Sequence, residues 1–231
     1  MYTAASRLTE TTMKKLTARV VAALELLTLE SMVAGAVFLA SFALFFYLVR
    51  VVFGAPTVAF DTWAFTRMDA LRTAAPALTE VARSITFFAS LPFLVVIALA
   101  LPWWLRRRGS PREALAVFWS VAGAALLNQL LKTHFHRLRP SSALIQQLGL
   151  SFPSGHAMIG LSLYGCLAWL VWRRGHHPVW AALLLLWAVL IGLTRVYLHV
   201  HYATDVLAGF AAAVLWLGLL RAVLQLWRRD K

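Results

Sequence analysis

Residues 153–205 read PSGHAMIGLSLYGCLAWLVWRRGHHPVWAALLLLWAVLIGLTRVYLHVHYATD, and this stretch decides the fold. It contains two apolar runs, 155–172 and 178–197, each close to the roughly 20 residues that a helix needs to cross a bilayer. A short basic connection joins the runs, and polar residues flank them at their outer ends. The stretch therefore predicts two neighbouring spanning helices whose polar ends lie on the same side of a membrane.

The rest of the chain has the same apolar character. Of its 231 residues 61% are hydrophobic and 13% are charged, whereas a soluble domain has about 45–50% apolar and about 25% charged residues. Four further runs are long enough to span, at roughly 32–53, 87–105, 113–133 and 204–227. The predicted fold class is all-α, an integral-membrane bundle of six transmembrane helices. It forms one domain, 32–231, after an N-terminal segment, 1–31.

Basic residues indicate the orientation of this bundle. They cluster in the N-terminal segment, in the connections after the second and fourth runs, and at the C-terminus. Six spans place all four clusters on one face, and the positive-inside bias makes that face cytoplasmic, with both termini. The formal net charge of +13 is thus a topology signal. We expect a lipid bilayer as partner and no nucleic acid, and the sequence does not indicate an oligomeric state.

Two segments are predicted to lie on the membrane surface. Residues 16–30 place apolar side chains at helical spacing, which is typical of a helix on the inner surface. Residues 54–86 mix aromatic and charged side chains and predict short interfacial helices on the outer face. The first run is interpreted as an uncleaved anchor, because no short apolar core with a small-residue cleavage site precedes it.

The polar side chains that could bind a ligand or take part in a reaction fall into three clusters. These are Lys132-x6-Arg139-Pro140, Pro153-Ser154-Gly155-His156 and Thr194-Arg195-x5-His201-x3-Asp205. Six spans place all three on the outer face, opposite the basic connections. Ionisable groups near a bilayer are costly, which favours a functional interpretation. Three cations suit an anion, while two histidines and a carboxylate suit the cleavage of a bond in it. This combination points to phosphate-ester chemistry at a membrane surface.

Each cluster also has a structural alternative. Ser154 is a favoured N-cap and Gly155 allows close backbone approach, so the helix start that follows is an anion site beside His156, or a capped end with an incidental histidine. His201 and Asp205 share a helix face at a spacing of four, so the carboxylate either orients a reactive imidazole or caps the last span.

The cations Lys132, Arg139 and Arg195 match phosphate oxygens, or contact lipid headgroups as ordinary helix-end residues. Arg137 lies on the same face, and the residues alone do not distinguish it from Arg139. The His134/His136 and His199/His201 pairs do not indicate a metal site, because helical residues two apart face different directions and a single nearby carboxylate is available.

Together the three clusters resemble the signature of the type 2 phosphatidic acid phosphatase (PAP2) superfamily, with Thr194 where the family has serine. The resemblance implies a metal-independent mechanism without a cofactor. His201 is then the nucleophile, Asp205 orients its ring, and His156 protonates the leaving oxygen and later activates water. The implied phosphate-binding residues are Lys132, Arg139, Arg195, Ser154 and Gly155.

The implied activity is hydrolysis of a lipid phosphate or diphosphate in a bacterial inner membrane, with the site facing the periplasm. Undecaprenyl diphosphate is the favoured substrate, with phosphatidic acid and phosphatidylglycerophosphate as further candidates. Two other classes stay open. A phosphoryl or lipid-group transferase keeps the same residues and differs in its acceptor, and a non-catalytic transporter or scaffold needs the cations but no acid or nucleophile.

Overall fold

Helices make up the regular structure in the part of the chain that the structure describes, residues 29–55 and 58–229 of a computed structural model. They are α1 Leu29–Gly54, α2 Ala59–Ala74, α3 Leu78–Phe87, α4 Leu91–Arg107, α5 Pro111–Phe135, α6 Gly155–Arg173, α7 Pro178–Tyr197 and α8 Ala203–Arg229. No strand occurs within those residues, so the predicted all-α class is confirmed.

Six helical segments among these residues are long and apolar enough to cross a membrane: Ser31–Gly54, Leu78–Arg107, Pro111–Phe135, Gly155–Arg173, Pro178–Tyr197 and Ala203–Leu226. The six predicted spans are confirmed. The second one differs in extent, because α3 joins α4 through a short turn in which the Phe88 N–H donates to the Ile85 carbonyl. Polar side chains on α3, such as Glu80, gave residues 78–86 the character of a surface segment in the sequence.

The chain divides into two compact units, residues 1–40 and 41–231. The described part of the first unit is the beginning of α1. The predicted N-terminal segment 1–31 and its surface helix at 16–30 lie outside the described residues, except at their C-terminal ends, where α1 begins. The second unit contains every predicted site residue.

Helix α6 is the centre of the second unit and packs against α5, α7 and α8. Small residues allow the close approach of α8. A Cβ at Gly209 would lie 2.8 Å from the Ser154 carbonyl oxygen and 3.2 Å from the Met158 nitrogen. Small residues at helix interfaces are the usual device for tight packing between spanning helices. Here the device holds α8 against the N-terminal end of α6.

The polar clusters meet at one end of this bundle, because consecutive spans run in opposite directions. The ends that come together are the C-termini of α5 and α7 and the N-termini of α6 and α8. The connection 136–154 crosses this end. Helix α2 also packs there, against α7 and α8. Short interfacial helices were predicted within 54–86; α2 and α3 lie there, but α3 forms the beginning of the second span, while α2 contributes to the walls of the site.

Candidate active site

The third cluster lies where α7 gives way to α8. His201 is in the connecting turn, and Asp205 is in the first turn of α8. His201 Nδ1 is 3.5 Å from an Asp205 carboxylate oxygen. The Ser151 hydroxyl lies 3.4 Å from His201 Nδ1 and donates to Asp205. The imidazole is fully buried. The carboxylate lies on the Nδ1 side of the ring, so Nε2 points to the opposite side, away from Asp205.

Arg139 lies on that opposite side. Its Nη1 is 3.1 Å from His201 Nε2 and donates to the Val200 carbonyl at 2.7 Å. Burial lowers the pKa of His201 to about 4, although Asp205 acts in the other direction. The imidazole is therefore neutral at pH 7. In the tautomer with the proton on Nδ1, toward Asp205, the lone pair of Nε2 would face the Arg139 guanidinium, where a nucleophile toward phosphorus would need it.

The three predicted cations converge on one segment of the connection, residues 147–150. Lys132 donates to the Leu150 carbonyl, and Arg139 Nε donates to the Gly149 carbonyl at 3.0 Å. Arg195 is buried, with 1% of its surface exposed, and donates to the Gln147 side-chain oxygen. Oxygen atoms of one short segment thus accept hydrogen bonds from all three cations.

Arg195 has a second anchor in α3. Its Nη1 donates to the Thr86 hydroxyl at 2.7 Å. Because Thr86 is itself buried, this hydrogen bond fixes the guanidinium in the interior instead of allowing it to reach the bilayer surface. Headgroup contact, the structural alternative for a helix-end arginine, therefore does not describe Arg195.

The second cluster lies at the start of α6. Ser154 occupies the predicted N-cap position, but its side chain makes no capping hydrogen bond. Its backbone N–H donates to the Asp205 carbonyl at 3.0 Å, which joins the second cluster to the third. Its buried hydroxyl has no hydrogen-bond partner within the described residues. A buried hydroxyl in this position suits a bond to a phosphoryl oxygen.

His156 and Gly155 follow in the first turn of α6. His156 is the second residue of α6, next to the helix start that Ser154 joins to Asp205. A Cβ at Gly155 would lie 3.1 Å from the Asn128 side-chain oxygen, so glycine fits the narrow space between α5 and α6. The start of α6, with Ser154, Gly155 and His156, therefore lies beside the third cluster.

The sequence did not distinguish the role of Arg137 from that of Arg139. In the structure Arg137 lies between the carboxylates of Asp61 and Asp205. Its Nη1 is 2.6 Å from Asp205 Oδ1, and its Nη2 is 2.9 Å from Asp61 Oδ2 on α2. The guanidinium also lies 3.9 Å from the centre of the Tyr202 ring. Arg139 thus faces Nε2 of His201, whereas Arg137 faces the carboxylate of Asp205.

The sequence interpretation missed Asp61, Ser151 and the distinct position of Arg137. A signal for Asp61 existed, since it is one of nine acidic residues in the chain. The other histidines lie elsewhere: His199 contacts Ser142 at 3.0 Å, and His136 contacts the His134 carbonyl. Within the described residues no group of three or more His, Cys, Asp or Glu side chains is arranged to hold a metal ion.

Comparison with known proteins places this geometry in a family. Residues 113–229 match the family model of the PAP2 superfamily. The chain belongs to the PAP2 superfamily. A PAP2 relative, phosphatidylglycerophosphatase B of Bacillus subtilis (strain 168), is 34% identical over 150 residues, which cover 61% of this chain and 72% of the relative. The lipid A 1-phosphatase of Rhizobium etli is 28% identical over 174 residues, or 64% of this chain and 71% of the relative.

The fold comparison agrees. The crystal structure of a transmembrane PAP2-type phosphatidylglycerolphosphate phosphatase from Bacillus subtilis superimposes with a TM-score of 0.73 at 27% identity, covering 84% of this chain and 98% of that one. The predicted family, fold class and enzyme class are confirmed. The protein is a multi-pass membrane phosphatase of the PAP2 superfamily that acts on lipid phosphates.

Proposed function

We propose that the enzyme removes a terminal phosphate from a lipid through a phosphohistidine on His201, with phosphatidylglycerophosphate as the first substrate to test. One observation carries the residue assignment. His201 is held at Nδ1 by Asp205, while its Nε2 faces Arg139 at 3.1 Å. A neutral imidazole in that orientation has its lone pair where the cations would hold a phosphoryl group.

The proposed reaction has two steps. In the first, His201 Nε2 attacks phosphorus, the bond to the ester oxygen breaks, and that oxygen takes a proton from His156, which enters the step as an imidazolium. In the second, His156 takes a proton from water, whose oxygen attacks phosphorus and breaks the P–N bond. Inorganic phosphate leaves and His201 returns to its neutral state. Asp205 stabilises the positive charge that develops on His201 in the first step.

Substrate binding would use the cations together with the start of α6. Lys132, Arg139 and Arg195 would take the phosphoryl oxygens, as would the Ser154 hydroxyl and the Gly155 N–H. The buried Ser154 hydroxyl without a partner in the described residues supports this assignment, because a phosphoryl oxygen would satisfy it. Phosphoryl transfer depends mainly on positioning and on charge stabilisation, and this set of donors serves both.

The substrate order follows the relatives. The Bacillus subtilis relative is a phosphatidylglycerophosphatase and the Rhizobium etli relative is a lipid A 1-phosphatase, so a phosphate at the end of a lipid headgroup is the shared chemistry. Undecaprenyl diphosphate, the favoured substrate in the sequence interpretation, remains a candidate behind phosphatidylglycerophosphate. We also propose a bacterial inner-membrane location with cytoplasmic termini and a periplasmic site.

A substrate panel tests this proposal. Purified protein in nanodiscs is given phosphatidylglycerophosphate, phosphatidic acid, lipid A phosphate and undecaprenyl diphosphate in parallel, and released phosphate is measured. We expect the highest kcat/KM on the first and no release by His201→Ala. A higher kcat/KM on undecaprenyl diphosphate would overturn the substrate order. Full activity of His201→Ala would overturn the nucleophile assignment.

Labelled water separates hydrolysis from transfer. In water enriched in ¹⁸O, hydrolysis of a phosphohistidine places the label in the released phosphate, whereas transfer to another acceptor leaves released phosphate unlabelled. We expect one labelled oxygen per phosphate. Phosphate without label would favour the transferase alternative.

A further inference from the structure

A buried carboxylate lies outside all three sequence clusters. Asp61 is in the first turn of α2, before the family-matching residues 113–229, and 3% of its surface is exposed. Burying an ionised carboxylate is costly unless charged and hydrogen-bonded partners compensate for the lost water. Its partners therefore indicate why it is there.

All the hydrogen bonds to Asp61 lead toward the active site. Its Oδ1 accepts the Thr204 backbone N–H at 2.8 Å, and its Oδ2 accepts the Thr204 hydroxyl at 2.8 Å. Arg137 Nη2 is 2.9 Å from the same Oδ2. Thr204 immediately precedes Asp205 in the first turn of α8. By binding Thr204, Asp61 fixes the backbone next to Asp205.

Arg137 connects the two carboxylates. While its Nη2 contacts Asp61, its Nη1 is 2.6 Å from Asp205 Oδ1 and donates to the Thr204 hydroxyl at 2.8 Å. The other Asp205 oxygen accepts the Tyr202 N–H at 3.0 Å and faces His201 Nδ1 at 3.5 Å. Both oxygens of Asp205 are thus engaged, and rotation of the carboxylate away from His201 would break the bond to Arg137.

We propose that Asp61 and Arg137 are positioning residues that fix Asp205, and through it His201, for attack on phosphorus. The inference rests on the proposed role of His201 as nucleophile. Arg137 is held between two carboxylates and away from the phosphoryl site, so its loss slows the formation of the phosphohistidine and leaves phosphate binding intact. Asp61 keeps Arg137 in that place and is the second determinant of the same step.

The test compares Asp61→Asn, Arg137→Gln, Arg137→Lys and the double variant Asp61→Asn/Arg137→Gln in purified protein. Rapid-quench single turnover with a ³²P-labelled lipid phosphate gives the rate of phosphohistidine formation, and competition by inorganic phosphate gives its Ki. The control is Glu80→Gln, which neutralises an exposed carboxylate paired with Arg83 on α3 and should keep the wild-type rate.

We expect Asp61→Asn and Arg137→Gln to slow phosphohistidine formation about ten- to a hundredfold, the range for loss of a charged hydrogen bond. The Ki for phosphate should stay within about twofold. Arg137→Lys should be faster than Arg137→Gln, because it keeps the charge. The double variant should be no slower than Arg137→Gln, since both substitutions interrupt one chain of contacts.

Other results would overturn the inference. A Ki that rises with an unchanged single-turnover rate would make Arg137 a phosphate ligand, and a wild-type rate for Asp61→Asn would remove its positioning role. If Asp61→Asn does not fold in detergent, the comparison of Arg137→Lys with Arg137→Gln decides the question. If the wild-type enzyme turns over without any phosphohistidine, the proposed function fails, and the inference fails with it.

Discussion

Gln147 provides the most direct test of how the site binds phosphate. Its side-chain oxygen accepts from Arg195, a guanidinium that is 1% exposed and is anchored on its other side by Thr86. A phosphoryl oxygen that binds Arg195 has to displace this amide oxygen. Replacing the amide with a carboxylate of the same shape, Gln147→Glu, keeps the geometry and makes the competitor negatively charged.

The expected magnitude follows from the geometry. Two unit charges about 4 Å apart attract by about 4 kcal/mol at an effective dielectric constant of about 20. Desolvation of the new carboxylate at this half-buried position cancels part of that attraction. A net cost of about 1–2 kcal/mol weakens phosphate binding by about five- to thirtyfold. The Ki for inorganic phosphate should therefore rise by that factor, while Gln147→Ala should lower it or leave it unchanged.

The assay is inhibition of a short-chain lipid phosphatase reaction by inorganic phosphate. The matched control is Gln146→Glu, which introduces the same charge at the exposed neighbouring position and should change the Ki by less than about twofold. An equal rise in Ki for both variants would mean that long-range charge, and not the contact with Arg195, is responsible. An unchanged Ki in Gln147→Glu would refute the idea that Gln147 occupies a phosphate position.

Three further outcomes are expected. Burial lowers the pKa of His201 to about 4, and a protonated His201 cannot attack phosphorus. The rate of phosphohistidine formation should therefore fall as the pH falls, with a midpoint near pH 4. A midpoint near pH 6.5 in rapid-quench data would contradict this. Gly209→Ala places a Cβ 2.8 Å from the Ser154 carbonyl and should lower both kcat and the unfolding temperature. Gly35→Ala should change neither, because no atom of the other described residues, apart from its own helix backbone and chain neighbours, lies within 4 Å of the added Cβ. Activity should persist in EDTA, and a loss that added zinc restores would establish a metal requirement.

The membrane spans and the polar clusters at their ends could be predicted from the sequence, because both depend on local patterns. Apolar run lengths predict the helices that the structure contains, and the alternation of spans brings Lys132, His156, Arg195 and Asp205 to one end. The extent of the second span was not predictable from hydropathy. Polar residues on α3 such as Thr79 resemble a surface segment, but Thr79 contacts the Tyr197 hydroxyl at 3.1 Å, a partner more than a hundred residues away.

The roles of the two neighbouring arginines also depended on distant contacts. Arg137 and Arg139 are two positions apart in an irregular connection, where no periodicity fixes the direction of a side chain. The connection begins at His136, which ends α5 in a left-handed conformation with φ of 50°. What separates the arginines is Asp61, 76 residues before Arg137, which pairs with one of them. The three sequence clusters do not include Asp61, so they could not predict its ion pair with Arg137.

The charges of the site account for its choice of ligand. The cationic side chains around His201 are Lys132, Arg137, Arg139 and Arg195, and the carboxylates among them are Asp61 and Asp205. Because His201 is neutral, these four positive and two negative groups leave about two positive charges in a buried space, before the proton that His156 carries in the proposed mechanism is counted. A phosphate monoester carries about −1.5 to −2 at pH 7, which balances that excess. A headgroup phosphodiester carries a single negative charge and would balance only about half of this positive excess. The charge count therefore favours lipids that end in a phosphate over ordinary bilayer lipids.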